Sequence, residues 1–299
     1  MAVVQEYISL HKPDILCFQE LDSNLLGLIE PGLPAGLKRG GLSINESLPA
    51  KDGCGIFFNT DKFDLLESRS ERFCNVVDKH LGQLSEAARN GASAVSLTRA
   101  LYRELREKLN MIVMARLQDR SSGNRFVVCS SHLYWDPVYP DIKLLQAYLL
   151  AQEALEYARD SSGLVIGADL NSIPSTSGVY ELLMGSGFVD VSHPDHPVSL
   201  RTNKTNPRLT GIPVDAVPSL SLTTPFISAI KSVNGQEPVY TNYTASFKGC
   251  LDYILLGGKI EAISSLPLPE ESELAFETAL PNSKWPSDHL PLVVDLKLS

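Results

Sequence analysis

The sequence predicts an α/β fold built as a sandwich of mixed sheets, and three observations carry that expectation. Short apolar, β-prone runs alternate with Ala- and Leu-rich helical stretches along the whole chain. Hairpin-turn chemistry separates some of the runs and helices separate others, so antiparallel and crossover connections are mixed, unlike a purely parallel doubly wound sheet. The composition, 43% hydrophobic and 20% charged over 299 residues, is that of a globular chain and excludes disordered, collagen-like and coiled-coil classes. Large α/β folds spend this length on one core, so residues 1–299 are read as one domain.

Val3, Val4, Tyr7, Ile8 and Leu10 recur at helical spacing, and Lys12-Pro13-Asp14 ends that helix. Ile15-Leu16-Cys17-Phe18 follows as a strand buried on both faces and ends in Gln19-Glu20. Gly53 to Phe58 is read as another strand, with Phe63 to Leu66 as its partner. Between about Asn75 and Lys108 the chain is rich in Ala, Arg and Leu, which predicts one or two exposed helices interrupted near Asn90-Gly91. Met111–Leu117 and Phe126–Ser131 form a hairpin around Asp119-Arg120-Ser121-Ser122-Gly123-Asn124. A helix over Leu144–Ala158, a buried strand over Leu164–Ala168 and a helix within Thr176–Met184 come next. Ser192 to Glu237 is rich in Pro, Ser, Thr and Asn and reads as loops with short helices; Cys250–Leu256 and Leu290–Leu298 close the chain as strands. No repeat at a solenoid period is visible.

The 26 basic residues against 35 acidic ones give a net charge of −9, which disfavours a protein that coats nucleic acid nonspecifically. An enzyme with a divalent cation in a carboxylate cluster still accepts an anionic substrate, because the ion reverses the local field. The five cysteines are odd in number, widely spaced and mostly set in apolar runs, so they read as buried reduced thiols and favour an intracellular, above all cytoplasmic, location. Mitochondrial and nuclear locations stay open. No stretch reaches the length of a membrane span, and the first ten residues lack signal-peptide character. The glycosylation triplets at Asn45, Asn203 and Asn242 are expected to be unused.

Polar residues gather where apolar strands end: Gln19-Glu20, Ser131 to Pro137 (SHLYWDP), Gly167 to Ser172 (GADLNS), Leu251-Asp252-Tyr253, and Pro286 to Pro291 (PSDHLP). A strand-end Asp is by itself a cap or turn former, a lone His132 a structural histidine and a lone Trp135 core; their co-occurrence is what matters. A carboxylate at the end of a buried strand needs partners or a cation. Hard oxygen donors without a Cys/His pair at zinc spacing favour Mg²⁺, with Mn²⁺ as a substitute, and metal-assisted phosphoester hydrolysis is the reaction that fits.

The motifs QE, SHLYWDP, GADLNS, YTNYTASFKGCLDYI and PSDHLPLV, in this order, resemble the endonuclease/exonuclease/phosphatase superfamily in its deadenylase branch. Pro174 to Gly178, Glu237 to Tyr243 and Leu266 to Pro269 are most similar to the 2′,5′-phosphodiesterase members of that branch. The resemblance spans about Pro13 to Leu298 and implies a four-layer α/β/β/α sandwich, two mixed sheets flanked by helices. It implies Glu20 as a Mg²⁺ ligand with Asp288 as a second contact, Asp169 as the group that orients or deprotonates water, and Asn171 as a phosphate contact that also fixes that base. His289, held by Asp252, would donate to a nonbridging oxygen, and His132 would add a phosphate contact. Pro137 and Phe247 would sandwich an adenine, a stack that contributes about 1–3 kcal/mol, and Lys248 would reach a phosphate. Trp135 is assigned to support of His132, and the basic residues between Arg99 and Lys108 to a solvated helical face.

Members of the superfamily open on a strand carrying an Asn of the metal site; here Met1 begins within the following helix, so the domain reads as N-terminally incomplete and lacking its first strand, with no residue in that Asn role. Leucine-rich repeats that dock deadenylases onto a larger complex do not occur in the chain. The implied activity is a Mg²⁺-dependent 3′-to-5′ exoribonuclease or phosphodiesterase that degrades poly(A) RNA or 2′,5′-oligoadenylate to 5′-AMP. The alternatives are a phosphatase acting on small adenine nucleotides such as NADP(H), as nocturnin-like members do, and a weakened scaffold of the same fold.

Overall fold

A computed structural model describes residues 2–45, 52–90, 95–200, 212–274 and 277–299. Helix α1 (Ala2–His11) leads into strand β1 (Ile15–Phe18). Helix α2 (Ser23–Ile29) is capped by Asp22, whose carboxylate accepts the Leu25 N–H at 2.6 Å, and precedes β2 (Leu37–Asn45), β3 (Asp52–Asn59) and β4 (Phe63–Arg72). Three helices follow, α3 (Phe73–His80), α4 (Gly82–Asn90) and α5 (Val95–Glu107), then the hairpin of β5 (Met111–Asp119) and β6 (Arg125–His132). Next come α6 (Pro140–Tyr157), β7 (Gly163–Asp169), α7 (Gly178–Met184), β8 (Phe188–Val189), β9 (Leu220–Ser221), β10 (Ile227–Ser228) and α8 (Ala229–Asn234). The chain closes with β11 (Asn242–Tyr243), β12 (Lys248–Gly249), β13 (Asp252–Gly258), β14 (Ile260–Ser265), α9 (Glu271–Leu274) and β15 (Val294–Leu298).

The larger sheet has the order β10-β13-β7-β6-β5-β4. All its pairs are antiparallel except β6 with β7, which the 18-residue helix α6 connects as a crossover. A second sheet has the order β1-β3-β2, and β14 pairs with β15. One face of the large sheet packs against the second sheet through Cys54, Ile56 and Phe58 of β3, Val113, Ala115 and Leu117 of β5, and Val128 of β6. The opposite face carries Ile112, Met114, Val127, Cys129, Leu164 and Ile166 against α3, α5, α6 and α7. This is the expected layered sandwich. Gly167 marks a close approach of the two sheets, since a β-carbon there would lie 2.9 Å from Cys17 Cβ.

Several sequence expectations are corrected. Phe63 to Leu66 does not pair with β3; it opens β4, which pairs with β5 from Phe63↔Asp119 onward. Both edges of β3 are already taken, by β1 and by β2, so the turn at Asn59–Lys62 carries the chain to the other sheet. Strand β2 was not expected: it has no apolar run, and Gly40 and Gly41 pass so close to Phe58 and Val113 that side chains there would collide. The last strand starts at Val294 rather than Leu290, because the Leu290 N–H is bonded to Thr241 O. The helix expected from Leu144 begins at Pro140, where a proline at the first position loses no hydrogen bond. Cys54, Cys129 and Cys250 are buried reduced thiols, but Cys17 and Cys74 are only partly buried. Trp135 is not core, being 65% exposed. Asn45 and Asn242 are buried, whereas Asn203, Gly91 and part of the Ser192–Glu237 segment lie outside the described residues. Among the described residues no helix is long and apolar enough to cross a membrane.

Candidate active site

Backbone register builds the centre of the site. On adjacent strands His132 of β6 stands opposite Asp169 of β7, and Asp169 opposite Asp252 of β13. Residues directly opposite across a ladder project to the same face, so one imidazole and two carboxylates form a row at the ends of three central strands. Each strand is read as apolar until its last or first residue because the rest of it is core: Phe126 to Cys129, Leu164 to Ile166, Leu255 and Leu256 are all buried.

His289 joins the row from the segment after α9. An isolated bridge to Asn242 and the Leu290 N–H bond to Thr241 O place it, and its Nδ1 lies 2.8 Å from Asp252 Oδ2. Its Nε2 is 3.8 Å from Asp169 Oδ2, and His132 Nε2 approaches that same oxygen at 3.5 Å. Asn171 adopts a left-handed φ of 47°, a sharp turn that returns its backbone N–H to Asp169 Oδ1 at 2.7 Å. Its side-chain amide reaches His132 Nε2 at 2.9 Å and Leu133 O at 3.0 Å.

Like charges placed opposite each other repel, and the site carries that cost. Burial and the neighbouring charge of Asp252 push the Asp169 carboxyl up to about 7, against the pull of His132 and His289. Burial opposes the charged form of His289, but the hydrogen bond and charge of Asp252, with Asp169 and Asp288 behind it, outweigh this and raise it to about 9. The buried carboxylate and the imidazolium it faces are thus the two electrostatic poles of the site.

The Endonuclease/Exonuclease/phosphatase family matches residues 1–289. The chain belongs to this family. It is 29% identical over 311 residues to 2′,5′-phosphodiesterase 12 of Homo sapiens, covering 99% of this chain and 45% of that protein. It is 27% identical over 348 residues to the CCR4-Not complex 3′-5′-exoribonuclease subunit Ccr4 of Emericella nidulans, covering 96% and 46%. The chain therefore spans about half the length of these relatives. Among solved structures, ANGEL2, a 2′,3′-cyclic phosphatase bound to adenosine-2′,3′-vanadate, superposes with a TM-score of 0.71 at 22% identity, covering 100% of this chain and 86% of that one. The human Nocturnin catalytic domain gives 0.62 at 21% identity, covering 100% and 85%. These two likenesses establish the endonuclease/exonuclease/phosphatase fold.

In this family member the structure brings together His132, Asp169, Asn171, Asp252 and His289, and holds Asp288 beside them through its Oδ2, 3.3 Å from Asn242 Nδ2. Glu20 closes β1 with a left-handed φ of 56° and is exposed. Gln19 ties that strand end to the site, donating to Ser130 Oγ at 3.0 Å and to Gly167 O at 3.1 Å. Among the described residues, Asp169, Asp252 and His289 offer ligand atoms within 4.8 Å of one another; Glu20 is outside that group. Pro137 and Phe247 are exposed, and Lys248 Nζ is 2.7 Å from Glu271. Enzymes of this family typically depend on a divalent metal, and the three carboxylates Asp169, Asp252 and Asp288 around two imidazoles form the oxygen-rich, anionic surroundings that suit a hard cation.

Two further residues hold the site without having been expected. Thr241, fully buried, donates its hydroxyl to Asp252 Oδ2 at 2.6 Å and accepts the N–H groups of Leu251 and Asp252. Lys143 is buried in α6 and donates to Asn171 O at 2.9 Å. Its sequence signal is a lone cation within an apolar helix. Thr241→Val keeps the shape of the side chain but leaves the Leu251 and Asp252 amides unpaired and takes one of two donors from Asp252 Oδ2, which keeps His289 Nδ1. It is expected to cost about 1–3 kcal/mol of stability, read as a lower urea midpoint at unchanged slope. A midpoint equal to that of the native chain would show that Thr241 is dispensable for holding Asp252.

Proposed function

We propose that the chain is a divalent-metal-dependent phosphodiesterase that releases 5′-AMP from adenylate chains, poly(A) RNA or 2′,5′-oligoadenylate. The observation that carries this reading is the row of His132, Asp169 and Asp252 fixed by strand register, with His289 and Asn171 closing around Asp169. The named relatives, a 2′,5′-phosphodiesterase and a 3′-5′-exoribonuclease, support the reaction class and the adenylate substrate.

Asp169 is the base. A carboxyl lifted to about 7 accepts a water proton near neutral pH far better than an ordinary carboxylate does. Asn171 fixes it through its backbone N–H; since its amide hydrogens serve His132 and Leu133, Asn171 contacts a phosphate only by exchanging one of those bonds. His289 stays protonated at neutral pH and faces the developing charge on a nonbridging oxygen, with Asp252 holding its ring. His132 lines the same row. Mg²⁺ or Mn²⁺ would be held by Glu20 with Asp288 as a second contact, and would supply Lewis-acid polarisation of the phosphoryl oxygens. Pro137 and Phe247 would flank the adenine, and Lys248 would reach a phosphate by leaving Glu271.

Labelled oligo(A) with 3′,5′ or 2′,5′ links, and NADP⁺ in parallel, test the reading. EDTA should abolish 5′-AMP release and added Mg²⁺ restore it. Release of phosphate from NADP⁺ alone would replace the diesterase reading with a monoesterase one, and no Mg²⁺-dependent product from any of the three would reject hydrolysis.

A further inference from the structure

A cleft of about 560 Å³ lies next to the catalytic row, between Ile173-Pro174-Ser175 and the segment Gly235 to Val239. Its position follows from the chain: Ile173 is two residues beyond Asn171, and Cys250 on its floor is two before Asp252. Behind the cleft the buried Tyr253 hydroxyl lies 2.8 Å from Ser172 O and 3.1 Å from Cys250 O, linking the two chain segments that run from the row to the cleft. Gly249 also lines the cleft, and a β-carbon there would fall 2.8 Å from Phe247 Cζ and 3.3 Å from Ile173 Cγ2. Phe247 therefore lies against the rim.

The lining combines two kinds of surface. Ile173, Pro174, Pro238 and Val239 supply apolar walls. Opposite chemistry comes from a fixed chain: Lys231 Nζ donates to Tyr180 OH at 3.0 Å, that hydroxyl donates to Glu237 Oε1 at 2.9 Å, and Ser228 Oγ donates to Glu237 Oε2 at 2.8 Å. Tyr180 and Ser228 are buried, so the carboxylate is held in one place, with accepting capacity left on both oxygens. Lys231 retains donors beyond the one that Tyr180 occupies. Apolar walls for a flat ring, an acceptor for an amino group and an ammonium for a phosphate are together what one nucleotide requires.

We infer that this cleft is a second nucleotide subsite, taking the residue of a nucleic-acid chain next to the scissile phosphate, with its phosphate on Lys231 and the exocyclic amine of its base on Glu237. The inference rests on the proposed phosphodiesterase reading and adds where the second residue of the chain is held.

Lys231→Gln removes the cation and Val239→Trp fills the mouth; both positions are exposed, Val239 by 72%. The readout is the ratio of kcat/KM for tetra-adenylate to that for bis(p-nitrophenyl) phosphate, which is too small to reach the cleft. Each variant is expected to lower this ratio about tenfold, mainly through KM. In parallel, fluorescence anisotropy of labelled tetra-adenylate on an Asp169→Asn background should show the same weakening without turnover. A ratio and a Kd unchanged in both variants would refute the subsite while leaving the chemistry intact. Tight, variant-sensitive binding without hydrolysis of any diester would overturn the chemistry and keep the subsite. Absence of both binding and hydrolysis would remove both.

Discussion

Asp169→Asn is expected to lower phosphodiester hydrolysis roughly 100- to 10,000-fold, the range that removal of a positioned base produces. The substitution preserves shape and leaves an acceptor for the Asn171 N–H that now reaches Oδ1 at 2.7 Å. What disappears is the proton acceptor, and with it the anion that His132 and His289 approach at 3.5 and 3.8 Å. Asp169 is only 4% exposed and stands opposite a second carboxylate, so its charge is held at a cost to the fold. The variant should therefore melt at the same temperature as the native chain or higher. Initial rates on oligo(A) and a thermal melt on the same preparation check both halves. Residual activity within about tenfold of native would remove the base role, since even a weak general base contributes more than that.

Glu153→Gln should have the largest effect on stability, and that effect should depend on pH. Glu153 sits in α6 at 1% exposure, with Lys79 Nζ at 2.6 Å and His80 Nε2 at 2.5 Å from the same oxygen, and Arg69 at 3.9 Å from the other. Burial alone would raise its carboxyl, but the hydrogen bonds of His80 and Lys79 and their charges overcome this and lower it to about 2 from 4.5. A carboxyl depressed in the folded state contributes stability that is complete above its unfolded value and vanishes as the pH falls through its folded one. The contribution is on the order of 3 kcal/mol at pH 7 and disappears between about pH 5 and 2. Urea unfolding of native chain and variant should differ by that amount at pH 7 and converge near pH 2; a difference constant across this range would mean that the ion cluster α3–α6 adds nothing by its charge.

Strands that are core on both faces were legible one by one. Met111–Leu117 and Leu164–Ala168 appear where apolar, β-branched composition puts them, because desolvation of those side chains depends little on which neighbour provides the cover; Ile15–Phe18 is a strand as expected but, at the edge of its sheet, is half-buried rather than covered on both faces. Partners were not legible. The assignment of Phe63–Leu66 to β3 rested on adjacency in sequence, whereas the ladders follow from which edges remain open once β1 and β2 have taken both sides of β3. Strand β2 escaped notice since Leu37-Lys38-Arg39-Gly40-Gly41 carries no alternation; its glycines answer to Phe58 and Val113, residues distant in sequence. The residues of the site were visible as polar groups ending apolar runs, but their convergence on Asp169 is a property of register. Thr241 and Lys143 gave little signal because a single threonine in a loop, or a lysine in a helix, is ordinarily solvated. Trp135 shows the converse: read alone a tryptophan is core, yet the stretch after β6 leaves it in solvent.

The row of His132, Asp169 and Asp252 depends on residue count as much as on residue type. Successive side chains in a strand alternate faces, so lengthening β6, β7 or β13 by one residue ahead of its polar end would rotate that group into the helical layer. Substitutions of one aliphatic for another along these strands leave that parity untouched. Descendants of this chain are then free to vary in spelling over Phe126–Ser131 and Leu164–Ala168, but not in length, and insertions and deletions that leave hydrolysis intact have to collect in the surface connections.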